Sequence, residues 1–279
     1  MEGTKIRESD VTRAIAKGFL KDFIDYAVSD VIVVGAGPSG VTASMLLARE
    51  GVKTLLIEKD TEPGGGMWQG GMLFPKMVIE SPADMFLNAF GIRTTKDESG
   101  FSMADSYYVT AKLLANAFEF GAKMFNSVVV EDVLYRDDGL HGVVVNWTSV
   151  SHRSMDCVDP MALESKVVID CTGHHADVAR IVAEKMNVQS VKQYFVGRES
   201  SMWVDKAEIA TVEHTKEIYP NLIVAGMAAN STGGLPRMGP VFGGMILSGI
   251  KAAKLALGKI NGGKFHKNNI SKEVMEALV

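Results

Sequence analysis

Only two cysteines occur among the 279 residues. That is too few for a disulfide framework and points to a reducing, cytoplasmic compartment. No stretch approaches the ~18 consecutive apolar residues of a membrane-crossing helix. The first ten residues, Met1 to Asp10, are charged and lack the apolar centre of a signal peptide. Excess charge of one sign is also missing: 29 Lys and Arg against 33 Asp and Glu leave a net charge of -4. Such a balance argues against an electrostatic grip on nucleic acid. What is plentiful is apolar material, at 47% of residues, enough to exclude a disordered chain. Glycine is in surplus as well, with 28 residues, or about 10% against a usual ~7%. Glycine in excess marks places where backbone must come close to something.

The pattern along the chain is that of an α/β protein. Val11, Ile15, Phe19 and Phe23 recur every four residues and predict an amphipathic helix over Glu8 to Tyr26. Asp30 to Val34 reads as a buried parallel strand and Ser39 to Glu50 as a helix closed by Gly51. Thr54 to Ile57 reads as a second strand, so the first sixty residues predict a right-handed βαβ unit. Further on, Pro63 to Gly71 is a glycine-rich loop and Ser106 to Phe120 a helix. Val128 to Leu134 and Val143 to Trp147 predict a hairpin around Asp137-Asp138-Gly139. Lys166 to Asp170 and Leu222 to Ala225 return as buried strands, and Gly239 to Leu257 closes with a helix. The expectation is one Rossmann-like dinucleotide-binding domain over residues 1–279, of the FAD/NAD-linked reductase type. Its core would be residues 1–60 and 165–258, a parallel sheet. Residues 61–164 would be an insertion with an antiparallel β region, and 259–279 a tail.

Gly35-Ala-Gly37-Pro-Ser-Gly40 falls between the first strand and its helix. In a G-x-G-x-x-G turn the first glycine permits the tight bend and the second lets backbone approach a pyrophosphate. The third lets the helix press on the strand. The helix N-terminus then offers free N–H groups to phosphate, and Ser39 adds a hydroxyl there. Glu58 lies 23 positions after Gly35, close to the ~20 expected of a ribose-binding carboxylate, and it favours NAD or FAD over NADP. Lys59 beside it joins the candidate nucleotide-binding residues. An adenine dinucleotide is the expected ligand.

Cys171-Thr172-Gly173 after a strand resembles the turn of flavoprotein oxidoreductases, so an FAD-dependent oxidoreductase is one alternative reading. A non-catalytic binder of ADP-containing ligands is another. Four further motifs point elsewhere. Gly64 to Gly71, Cys157-Val-Asp-Pro160, Thr172-Gly-His174 and Arg237-Met-Gly-Pro240 with Phe242 to Gly249 together resemble the thiazole synthases of thiamine biosynthesis. Arg237-Met-Gly-Pro also stands where a flavin enzyme has its Gly-Asp motif, which weighs against the flavin reading.

That resemblance implies an enzyme consuming NAD as a substrate together with glycine and a sulfur source, releasing nicotinamide and forming an ADP-linked thiazole carboxylate. It implies iron(II), held by Asp159 and His174, a donor pair suited to a borderline divalent metal. It also implies a homo-octamer with sites shared between neighbouring subunits. Arg237 matches the residue that holds the glycine carboxylate, and a guanidinium fork suits that task. Gly66, Val130 and Met227 match positions at the dinucleotide. Cys157 stands where fungal and plant relatives carry a cysteine that gives up its own sulfur, with His152 five residues earlier as in the fungal pattern. Many archaeal relatives have histidine at the cysteine's place and use free sulfide, so both sulfur sources remain open. Donation would need Cys157 as a thiolate, which the adjacent Asp156 and Asp159 oppose. Cys171 is expected in the core and His175 at the surface.

Overall fold

The computed structural model describes residues 6–153, 155, 157–186 and 199–261. In chain order the elements are α1 (Glu8–Tyr26), β1 (Val28–Val34), α2 (Pro38–Arg49), β2 (Thr54–Ile57), β3 (Lys76–Val78), α3 (Ala83–Ala89), β4 (Thr95–Lys96) and β5 (Ser102–Asp105). They continue with α4 (Ser106–Glu119), β6 (Lys123–Phe125), β7 (Val128–Arg136), β8 (Gly139–Trp147), α5 (Thr148–His152) and β9 (Met161–Asp170). Next come α6 (Asp177–Lys185), α7 (Val204–Glu213), β10 (Lys216–Tyr219), β11 (Leu222–Val224), α8 (Met227–Gly233) and α9 (Gly243–Asn261).

The central sheet has the order β10-β11-β9-β1-β2-β6. Strands β11, β9, β1, β2 and β6 run parallel, while β10 is antiparallel to β11. Strands β7 and β8 form an antiparallel hairpin that joins the sheet through the first half of β9. This is the expected α/β architecture, a parallel Rossmann-like sheet with an antiparallel region attached. A second, small sheet has the order β3-β5-β4. Its strands are two to four residues long, too short for any periodicity to announce them.

Both faces of the parallel sheet are covered, which explains why its strands read as unbroken apolar runs. Val31, Val33, Leu56 and Ile169 face one core, shared with α2, α4 and α9. Ile32, Leu55, Ile57 and Val168 face the other, shared with the β7–β8 hairpin and α6. Helices α2 and α9 approach closely because Gly249 carries no side chain; a Cβ there would lie 2.4 Å from the Ser39 carbonyl oxygen. The final helix starts at Gly243 rather than Gly239, since Pro240 disfavours helical backbone before it and Val241 bridges to Val78 instead.

Helix α1 has the expected bounds, yet none of its residues is fully buried. Phe19 and Phe23 pack on Phe125, and Lys123 pairs with Asp22 at 2.8 Å. Ile15, Leu20 and Ile24 stay exposed. Among the described residues no helix is long and apolar enough to cross a membrane.

Candidate active site

The carboxyl ends of β1, β2 and β9 open into a cavity of about 450 Å³, where ligands bind in open α/β sheets. The glycine turn forms one wall. Gly35 has φ +96°, and a Cβ on it would meet the Cys171 carbonyl oxygen at 2.4 Å. A Cβ on Gly40 would sit 1.9 Å from the Gly35 carbonyl oxygen, so the start of α2 is pressed onto the turn. Gly37 differs: a Cβ there would meet no protein atom within 4 Å, and Gly37 lines the cavity. Its neighbourhood is open to a ligand.

Glu58 directly follows β2 and is buried. Its Oε2 accepts from the Ala36 N–H at 2.8 Å and its Oε1 from the Asp60 N–H at 3.0 Å. The carboxylate therefore braces the glycine turn while lining the cavity. The Gly64 to Gly71 loop, glycine-rich in sequence, is pinned on the turn. The Gly64 N–H donates to the Ala36 carbonyl at 2.7 Å, and Met67 is fully buried.

On the opposite side, Asp170 organises the turn after β9. The wholly buried carboxylate accepts from the Thr172 N–H and hydroxyl through Oδ1, and from the Ala179 N–H through Oδ2, at 2.7–2.9 Å. Burial nevertheless pushes its pKa up. His174 projects from that turn. Its carbonyl accepts from the Ser231 hydroxyl at 2.8 Å, and its ring Nδ1 lies 2.7 Å from Glu199 Oε2. Arg237 lines the same cavity, and among the described residues no carboxylate pairs with its guanidinium.

The cavity thus joins Gly35, Gly37, Ser39, Glu58, Lys59, Gly66, Val130, His174, Met227 and Arg237. Gly40 lies beneath it. Cys171 is buried at its floor, where burial drives the thiol pKa up and keeps it protonated. His175 is exposed. Cys157 and Asp159 are exposed and do not line the cavity. They precede β9, whereas His174 follows it. At ~3.3 Å per residue the strand spans about 30 Å, so the two groups stand at opposite ends of one rigid element. Among the described residues no cluster of three or more His, Cys, Asp or Glu side chains could hold a metal.

Sequence reasoning missed Glu199 and the methionine wall of Met202, Met238 and Met245. Glu199 is 25 positions from His174 and shares no helix or strand with it, so no periodicity signals the pair. A methionine in sequence reads as core filler, and only its position on the cavity distinguishes it.

The sequence model of the Thi4 family matches residues 12–242. A thiamine thiazole synthase of Methanothermobacter thermautotrophicus is 42% identical over 257 residues, covering 92% of this chain and 99% of the relative. One of Methanococcoides burtonii is 45% identical with the same coverage. The crystal structure of Thermovibrio ammonificans THI4 superposes with a TM-score of 0.88 at 35% identity, covering 92% of this chain and all of that one.

Proposed function

Because the chain belongs to the Thi4 family, whose curated relatives are enzymes that make the thiazole of thiamine, we propose that it builds this thiazole from NAD, glycine and sulfur with the help of iron(II). One observation carries the reading: the glycine turn, an arginine whose guanidinium no carboxylate pairs with among the described residues, and a histidine ring line a single cavity. The turn and the α2 N-terminus suit the pyrophosphate, with the adenosine towards Glu58 and Val130. This leaves the nicotinamide ribose towards His174 and Arg237. Arg237 would take the glycine carboxylate in two parallel hydrogen bonds, leaving the amine free to condense with the sugar once nicotinamide has departed. The buried thioethers of Met227 and Met238 would keep water from the imine so formed.

His174 and Asp159 fit the metal by chemistry, one imidazole nitrogen and one carboxylate oxygen, and would hold it. Bound there, iron(II) supplies a Lewis acid with open positions. Since β9 separates the two residues, Asp159 and Cys157 would serve the cavity of a second copy, and the uncovered stripe on α1 is consistent with such an assembly. Cys157 would act as the sulfur donor: its Sγ would bond to a carbonyl carbon of the opened sugar, its Hα would then leave as a proton while those electrons form the Cα=Cβ bond, and the Cβ–Sγ pair would stay with the sulfur on the substrate, leaving dehydroalanine.

The test is an anaerobic incubation of the purified protein with NAD, glycine, iron(II) and sulfide, followed by mass spectrometry of products and protein. Released nicotinamide and a glycine-dependent ADP-thiazole are expected. Intact NAD, or a bound flavin turning over without loss of nicotinamide, overturns the proposal. Loss of the elements of hydrogen sulfide at Cys157 is expected during a sulfide-free first turnover. An intact thiol after many turnovers on added sulfide assigns the sulfur to free sulfide.

A further inference from the structure

We infer that Glu199 is a positioning residue for His174, setting the tautomer and orientation of its ring so that Nε2 presents a lone pair to a metal ion. The inference rests on the reading of His174 as a metal ligand, and concerns a residue that contributes no ligand atom itself. Glu199 Oε2 lies 2.7 Å from His174 Nδ1. The carboxylate is only 10% exposed, whereas the ring is 46% exposed and faces the cavity. Oε1 of the same carboxylate is buried with no partner among the described residues. A carboxylate desolvated to that degree is costly, and a buried polar atom without a partner calls for an explanation. Ring orientation supplies one.

An ionised carboxylate accepts and cannot donate, so Nδ1 of the neutral ring must carry the hydrogen. Nε2 is then the acceptor, and it has no partner among the described residues. This is the arrangement in which a carboxylate fixes a ligating histidine and raises its basicity. Both ends of the pair are held through their backbone by hydrogen bonds. The Ser231 hydroxyl fixes the His174 carbonyl. Glu199 leads into a short bridge in which the Ser200 N–H donates to the Leu235 carbonyl at 2.9 Å and the Arg237 N–H to the Ser200 carbonyl at 3.2 Å. The segment that orients His174 is therefore hydrogen-bonded to the segment that carries Arg237, which ties the candidate metal ligand to the candidate carboxylate anchor.

The test is an anaerobic titration of iron(II) alone into the full-length protein, compared with Glu199→Ala, Glu199→Gln and His174→Ala, with NAD affinity and thermal midpoint measured in parallel. Loss of such a partner weakens metal binding by about 10–100-fold. That loss is expected in Glu199→Ala, and a smaller one in Glu199→Gln, which keeps an acceptor oxygen but not the charge. NAD affinity should remain within about twofold, a change near the size of thermal energy. Unchanged iron affinity in Glu199→Ala overturns the inference. So does a parallel loss of NAD binding and thermal stability in both variants, which would make the contact a structural strut. If the unmodified protein does not bind iron(II), or His174→Ala binds it equally well, the reading of His174 fails first and the inference falls with it.

Discussion

Glu208, on α7, shows how much one buried group can tie the fold to its solvent. Its carboxylate is 7% exposed. Oε2 accepts from the Gly244 N–H at 2.5 Å, and Oε1 has no partner among the described residues. Burial, reinforced by the charge of Glu80 and opposed by the Gly244 hydrogen bond, raises its pKa from 4.5 to about 7. A folded-state pKa above the unfolded one means that the bound proton stabilises the fold. The contribution is full below about pH 4.5 and is lost as pH rises through about 7. The shift corresponds to about 3 kcal/mol. Glu208→Gln should therefore match the unmodified protein in acid and become the more stable of the two above neutrality. Chemical denaturation at several pH values checks this, and a difference that stays flat from pH 5 to about 8 would remove Glu208 from the account.

The βαβ turn is an element in which two glycines do opposite jobs. Gly40 is excluded from bearing a Cβ by protein backbone at 1.9 Å, while Gly37 meets nothing and has extended backbone, φ -75° and ψ -173°, open to any residue. Gly40→Ala should destabilise the fold by about 1–3 kcal/mol through overpacking. Gly37→Ala should leave the thermal midpoint near its original value yet weaken NAD binding by about tenfold, or 1.4 kcal/mol. Melting curves and NAD titrations on both variants separate the two effects. If Gly37→Ala binds NAD as before, the pyrophosphate does not cross that turn. The spacing of the glycines was legible in sequence, because a turn between strand and helix is local. The division of labour between them was not, because it depends on what lies across the turn.

At the scale of the whole molecule, the length of β9 decides how sites can be built. Its first half pairs with β8 and alternates between exposed and buried residues, while Val167 to Asp170 are buried throughout. A buried-strand pattern therefore reveals only the second half, and the sequence reading began at Lys166. The full strand, about 30 Å long at ~3.3 Å per residue, lies between the segment that carries Asp159 and the one that carries His174. If the site is completed between subunits, Asp159→Ala and His174→Ala proteins, each inactive alone, should regain activity when co-assembled. About one site in four would then combine both intact residues under random mixing in a closed symmetric oligomer. Absence of any recovery, in assemblies shown to contain both chains, would place the chemistry within one chain.

The order of strands and helices, the glycine turn with its acid, and the motifs shared with thiazole synthases were all set down in sequence. Each depends on spacing within some twenty-five residues or on a contiguous string. What tertiary structure alone decided was which of these features meet. It brought Arg237, His174 and the Gly64 to Gly71 loop to one cavity and kept Cys157 and Asp159 out of it. It also put Glu199 behind a histidine that no local pattern connects to it. The reason is physical: hydrophobic periodicity reports which side of an element is dry, whereas a site is made by the distances between elements, and those are fixed only when the sheet and its layers pack.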